Sequence, residues 1–288
     1  MLWFLCAGGT ACFEALKDVT GKQTLKALDE YAVLFGFMSV GAVLLFGLQL
    51  LTGGFPTIGP QFGLALLAGG SLNILAYTLY VRAIKVAELS LTVPLITLTP
   101  LFLLATSPLI VQEWPTWADA VGVLLLVVGS YILNWQPAAQ RSVWAPLAAI
   151  VQNQGSRLML GAAFLWSITS NFDKIGTLNS SPLFWGMSLF IVIAVGMVPL
   201  MFRAKSSFRD VSQHIRLLGI TGLLNASGIS LQFLALTLAP VAQVIAVKRL
   251  SALIAVVLGH FVFQEPGMQK RLLGAAIMVS GVAIMALR

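Results

Sequence analysis

Hydrophobic residues along this chain gather into ten long runs, with the polar residues lying between them. The runs cover approximately 2–19, 31–51, 62–83, 89–111, 117–135, 158–177, 183–202, 217–237, 241–263 and 272–287. A helix needs about 20 mainly apolar residues to cross a bilayer, and each run approaches or exceeds that length. They are separated by turn-forming residues at Thr52-Gly53-Gly54, Glu113-Trp114-Pro115, Ser180-Ser181-Pro182 and Glu265-Pro266-Gly267. The longest polar stretch, about 136–157, separates the fifth run from the sixth.

The pattern is written twice. Gln112-Glu113 recurs as Gln264-Glu265, and Asn73 recurs as Asn225, both at a spacing of 152 residues. Gly122 and Gly129 recur at the same spacing as Gly274 and Gly281. Leu34-Phe35 and Met38-Ser39 recur at a slightly shorter spacing as Leu183-Phe184 and Met187-Ser188. Five runs in each copy is an odd number, so the second copy enters the membrane from the opposite side. The expected fold is all-α and integral to the membrane, with ten transmembrane helices forming two inverted five-helix repeats. The expected domains are 1–135 and 158–288, joined by a connecting loop at 136–157. A duplicated apolar chain of this kind is the signature of a secondary transporter with its substrate site between the repeats.

Composition narrows the function further. The chain is 58% hydrophobic and 9% charged, against about a quarter charged for a soluble domain, so no separate soluble catalytic domain is expected. The net charge of +7 comes from basic residues placed between apolar runs, where lipid headgroups rather than nucleic acid are the expected partners. Cys6 and Cys12 share the first run and have no metal-ligand spacing. That run lacks a basic start and an obvious small-residue cleavage site, so it is expected to be a mature helix rather than a signal peptide. The clusters Lys17/Lys22/Lys26, Arg82/Lys85, Arg141/Arg157, Arg203/Lys205/Arg209/Arg216 and Lys270/Arg271 all fall on one side of a ten-helix arrangement. The positive-inside rule makes that side cytoplasmic and puts both termini outside.

The duplicated five-run unit, with Glu113 and Glu265 closing the fourth run of each half and a Gly within the next ten residues, resembles the EamA-type drug/metabolite transporter family. The resemblance spans nearly the whole chain. It implies a ten-helix transporter with both termini in the cytoplasm, opposite to the orientation read from the basic loops.

Lys248-Arg249 is the sharpest chemical signal. Arg249 lies about 12 Å into an otherwise apolar run, too deep to snorkel easily to the nearer surface. A centred basic residue costs roughly 2.5–3.5 kcal/mol to insert, so the pair must face a wet cavity or a partner. One reading is a site for a carboxylate or phosphate, with Arg as a planar fork and Lys as a point charge. The other is internal pairing with Glu14 or Asp173. The pair also resembles the adjacent Lys-Arg on the ninth helix of plastid phosphate-ester translocators in the same superfamily, which implies phosphate binding. In the first half Ile96 and Thr97 occupy the matching positions, so the fourth run adds no basic partner.

Glu14 and Lys17 share one face of the first run, as Asn171 and Lys174 do in the sixth, with Asp173 between the latter two. Glu14 is a candidate proton site or a partner for Arg249. Lys17, Asp173 and Lys174 read as markers of helix ends. Asn73, Tyr77 and Tyr80 make one polar stripe and Asn225, Gly228 and Gln232 another, either two walls of a cavity or interhelical hydrogen bonds. Tyr80 also fits an interfacial aromatic belt. Pro94, Pro100 and Pro108 kink the fourth run, while the ninth has no internal proline. Glu113, Glu265 and His260 read as interfacial, and His214 as exposed in a basic loop.

No nucleophile–histidine–acid set and no phosphate-cradling loop is present, so neither an enzyme nor a cofactor or metal is expected. The expected substrate-binding residues are Lys248, Arg249, Glu14, Asn73, Tyr77, Asn171, Asn225 and Gln232. The expected function is alternating-access transport of a small polar metabolite, anionic or zwitterionic. The alternatives are export of amphipathic drugs or amino acids, and flipping of an anionic lipid headgroup. The expected partners are the small-molecule substrate and the lipid bilayer, with no nucleic acid. The expected state is a monomer or homodimer in a cell membrane, the inner membrane of a bacterium.

Overall fold

The structure is a computed structural model describing residues 1–52, 54–86, 95–133, 153–254 and 268–286. Glu265, His260 and Pro94 lie outside the described residues, as does most of the 136–157 link. The described helices are α1 (Leu2–Thr24), α2 (Glu30–Leu51), α3 (Phe62–Val86), α4 (Thr99–Ile110), α5 (Trp117–Leu133) and α6 (Gln154–Leu178). They continue with α7 (Pro182–Arg203), α8 (Phe208–Gln213), α9 (Ile215–Leu238), α10 (Val241–Lys248) and α11 (Met268–Ala286). Among the described residues, α2, α7, α9 and the span Phe62–Ala83 of α3 are each long and apolar enough to cross a membrane.

Local chemistry sets several helix boundaries. The Asp29 side chain accepts the Tyr31 N–H at 3.0 Å and starts α2. Ser181 accepts the Phe184 N–H at 3.2 Å, with Pro182 at the first helical position, where it has no hydrogen bond to lose. Ser207 and Asp210 form a reciprocal capping box that starts the short α8. The Ser207 hydroxyl and then its backbone N–H hold the Asp210 carboxyl below the usual aspartate range.

The chain packs as two compact units, and neither is a sequence half. The first is Met1–Ile74 with Phe172–Ala239, and the second is Leu75–Asn171 with Pro240–Arg288. Within the first unit, α1 packs on α9 and α2 packs on α7. Thr10 Oγ1 donates to the Gly228 carbonyl at 3.1 Å, and the Thr20 and Thr221 hydroxyls meet at 3.1 Å. Gly41 leaves room for the Phe190 ring, and Gly186 lies against Leu45. Higher positions on α2 therefore meet lower positions on α7, so the pair runs antiparallel.

Within the second unit the dominant contact is α5 against α11. Here the four repeated glycines meet crosswise. A Cβ on Gly122 would come within 2.6 Å of the Gly281 carbonyl oxygen, and a Cβ on Gly129 within 2.6 Å of the Gly274 carbonyl oxygen. Without side chains at these points the two backbones touch, which is how helices associate where no hydrophobic effect operates between them.

The structure corrects several boundaries read from the sequence. The ninth run is not one regular helix: α10 stops at Lys248, Arg249 and Leu250 form a turn, and helix resumes at 251–254. The fourth run breaks in the same way, with a turn at Thr97 and Leu98 before α4 begins. The two turns stand 152 residues apart, the spacing of the repeat. Proline does not cause the break after α10, since none lies inside it. Lys17 lies about two turns from the end of α1, and Lys174 about one turn from the end of α6. Asp173 is buried and accepts the Trp185 indole N–H at 3.1 Å.

Replacing Gly129 or Gly122 with Val should therefore overpack the α5–α11 contact and cost about 1–3 kcal/mol. Gly47→Ala, at a position where a Cβ meets nothing within 4 Å, is the control. Thermal unfolding in detergent should show the Val variants melting earlier and the control unchanged or later. Equal melting of all three would contradict the packing.

Candidate functional site

The eight expected site residues divide between the two units. Glu14, Asn73, Asn225 and Gln232 belong to the first, and Tyr77, Asn171, Lys248 and Arg249 to the second.

In the first unit, Glu14 accepts a hydrogen bond from Lys17 Nζ at 2.8 Å, one turn away on α1, and Lys17 also reaches Asp18 at 3.4 Å. The Asn225 amide lies 3.9 Å from Met38 Sδ. Asn73, Asn225 and Gln232 are all buried. Asn73 Nδ2 has no hydrogen-bond partner among the described residues. A buried polar group left this way costs about 1–3 kcal/mol, and such groups in native proteins call for an explanation beyond packing.

In the second unit the organising element is α4. Thr99, Leu103, Thr106 and Ser107 fall on one of its faces and are buried. Arg249 Nη2 donates to Thr99 Oγ1 at 2.9 Å. The Thr99 hydroxyl proton is directed to the Ile96 carbonyl at 2.7 Å, so its lone pairs are left for the guanidinium. That carbonyl belongs to the turn before α4, which ties the helix break directly to the arginine's anchor. Lys248 and Arg249 are half-buried at the C-terminal end of α10, where the helix dipole favours positive charge by about 0.3–1 kcal/mol.

Two turns along the same face, Asn171 Nδ2 donates to Thr106 Oγ1 at 3.2 Å and to the Ser167 carbonyl at 2.8 Å. Its Oδ1 has no hydrogen-bond partner among the described residues, and neither has Ser107 Oγ. Tyr77 packs edge-on to Trp166 with ring centroids 5.6 Å apart, and Tyr80 lies tilted against the same ring at 5.3 Å. Tyr80 also packs on the cluster of Ala83, Leu95 and Met159 beside the turn before α4.

The sequence reading missed Thr99, Thr106, Ser107 and Trp166. The available signal was the Thr99–Thr106 spacing of seven in an apolar run, which places both on one helix face. Glu113, read as interfacial, accepts the Val241 backbone N–H at 2.8 Å and so caps α10. Asp119 accepts the Gln243 side-chain N–H at 2.7 Å. A narrow cleft beside these contacts is lined by Ser107, Glu113, Asp119 and Pro240.

Two segments of the chain, residues 1–135 and 153–287, match the model of the EamA-like transporter family. No curated protein is significantly similar in sequence. A solved structure described only as a crystal structure of a protein is similar over 99% of this chain and 96% of its own, with a TM-score of 0.74. At 15% identity that likeness shows the fold alone.

The Thr99 contact is directly testable. Thr99→Val keeps the shape and removes the acceptor for Arg249, and should cost about 1.5–3 kcal/mol, the range for a hydrogen bond to a charged group. Thr99→Ser should keep most of it. Denaturation of the purified variants would reveal the difference, and a Val variant as stable as wild type would show the contact to be dispensable.

Proposed function

From the premise that this chain belongs to the EamA-like transporter family, and is thus a multi-pass membrane transporter, we propose that it moves a small anionic or zwitterionic metabolite by alternating access. Lys248 and Arg249 bind the negative group. The observation that carries this reading is the placement of both cations at an interruption of helix within the apolar ninth run. Discontinuous helices in transporters present ligand groups at mid-membrane, with the irregular backbone lining a cavity. The repeat-related turn at Thr97 and Leu98 supports it, because Thr99 beyond that turn holds Arg249.

In this proposal Arg249 supplies the bidentate fork and Lys248 the point charge. The buried, unsatisfied acceptor of Asn171 and the Tyr77–Trp166 aromatic pair serve the uncharged part of the substrate. Asn73, Asn225, Gln232 and Glu14, buried or half-buried polar residues of the first unit, are further candidate substrate-binding residues. The polypeptide spans the membrane ten times, with halves 1–135 and 158–288 joined by the loop at 136–157. The crosswise meeting of Gly122 with Gly281 and Gly129 with Gly274 supports inversion of one half relative to the other. Each contact maps onto the other under the 152-residue repeat, as a two-fold axis perpendicular to the antiparallel helices requires. The membrane is a cell membrane, with the basic loops on the cytoplasmic side.

Arg249→Gln should abolish transport while the protein remains inserted and folded, and Arg249→Lys should restore it poorly. In thermal-shift assays, succinate, glutamate and inorganic phosphate should raise the melting temperature of the wild type but not of Arg249→Gln. Retained transport or an unchanged shift in Arg249→Gln would exclude the anion site.

Orientation has its own test. A cysteine placed in the 203–216 loop should resist an impermeant thiol reagent in intact cells and react after lysis. Ready labelling of intact cells would put that loop outside.

A further inference from the structure

We propose that Glu113 is a positioning residue: by capping α10 from the end of α4 it fixes where Lys248 and Arg249 stand. The inference rests on the reading of those two residues as the anion site. It starts from a weakness in α10. That helix has only eight residues, too few to be stable on its own. Its N-cap is Pro240, which carries no side-chain acceptor. The backbone N–H groups of its first turn therefore need partners from elsewhere, and hydrocarbon supplies none.

Glu113 provides one, its Oε2 accepting the Val241 N–H at 2.8 Å. The residue is brought there by a deliberate turn. Val111 N–H closes on the Ser107 carbonyl at 3.0 Å, Gln112 takes a positive φ of 59°, and Glu113 N–H returns to the same carbonyl at 3.4 Å. A second tie comes from the start of α5. One Asp119 carboxylate oxygen accepts from the Thr116 N–H and hydroxyl, both at 2.8 Å, and the other accepts Gln243 Nε2 at 2.7 Å. The two carboxylates thus flank the Trp114–Thr116 turn and grip the first turn of α10 at two points.

The far end of α10 is its last residue, Lys248, followed directly by Arg249 and the helix break. A regular helix transmits displacement along its axis, and Val241 stands about 12 Å from Arg249. Loss of the grip lets α10 shift or fray, and the cations move with it. Glu113 acts through the helix and not on the substrate.

The test adds a cap from within. Glu113→Ala should speed amide hydrogen exchange at residues 241–244 roughly two- to thirty-fold, the range expected for a lost cap. It should also change the rate at which a Lys248→Cys thiol reacts with a water-soluble maleimide, and weaken the melting shift produced by succinate. Pro240→Asp, which puts an acceptor at the N-cap itself, should reverse all three effects in the Glu113→Ala background. Glu113→Gln, which keeps an acceptor without charge, should stay near wild type and remain folded if the Ala variant does not.

Unchanged exchange and labelling in Glu113→Ala would overturn the proposal, as would failure of Pro240→Asp to rescue. Absence of any succinate shift in the wild type, with exchange and labelling behaving as expected, would overturn the anion reading while leaving the cap in place.

Discussion

The bilayer core offers a peptide group nothing to bond with, and the rest of this structure follows from that constraint. Backbone N–H and C=O groups must be satisfied within the chain, which makes helices the default and every irregularity expensive. The turns at Thr97-Leu98 and Arg249-Leu250 are such irregularities. The first is accompanied by a specific repair. The Ile96 carbonyl, which Pro100 has no N–H to satisfy, receives the Thr99 hydroxyl, and that hydroxyl oxygen in turn receives Arg249. At the start of α10, where the Pro240 side chain offers no acceptor, a carboxylate from the α4–α5 connection accepts the first N–H. Thr99 and Glu113, polar residues in or beside an apolar run, serve such points.

The same constraint explains what could be read from the sequence. Helix existence was legible because long apolar runs have few other uses. The repeat was legible because glycines at backbone contacts, such as Gly129 against Gly274, admit no substitute and so keep their spacing in both copies. The break after Lys248 was not legible. It has neither proline nor glycine, and Val, Lys, Arg and Leu all occur in regular helices. What accompanies it is a tertiary contact, from Arg249 to Thr99, 150 residues away.

The candidate site was half legible for a similar reason. Lys248 and Arg249 stand out because charge is costly in hydrocarbon. Thr99 and Thr106 do not stand out, since a threonine commonly satisfies its own hydroxyl by bonding back to its helix, as Thr20 and Thr52 do here. Only the structure shows that the Thr99 oxygen, besides bonding back to Ile96, also serves a guanidinium. The compact units add a second lesson. Sequence halves reflect how the gene was built, whereas the units are held together by packing that draws helices from both halves.

The glycine contact between α5 and α11 also bears on the origin of the chain. Two glycines seven residues apart form a face that is its own complement when a copy is laid against it in the opposite direction. A single five-helix ancestor carrying Gly122 and Gly129 would already have held both sides of the joint. Fusing two such copies into one polypeptide would then have required no new interface, only a linker and the freedom for each copy to lose whichever side chains the other now supplied.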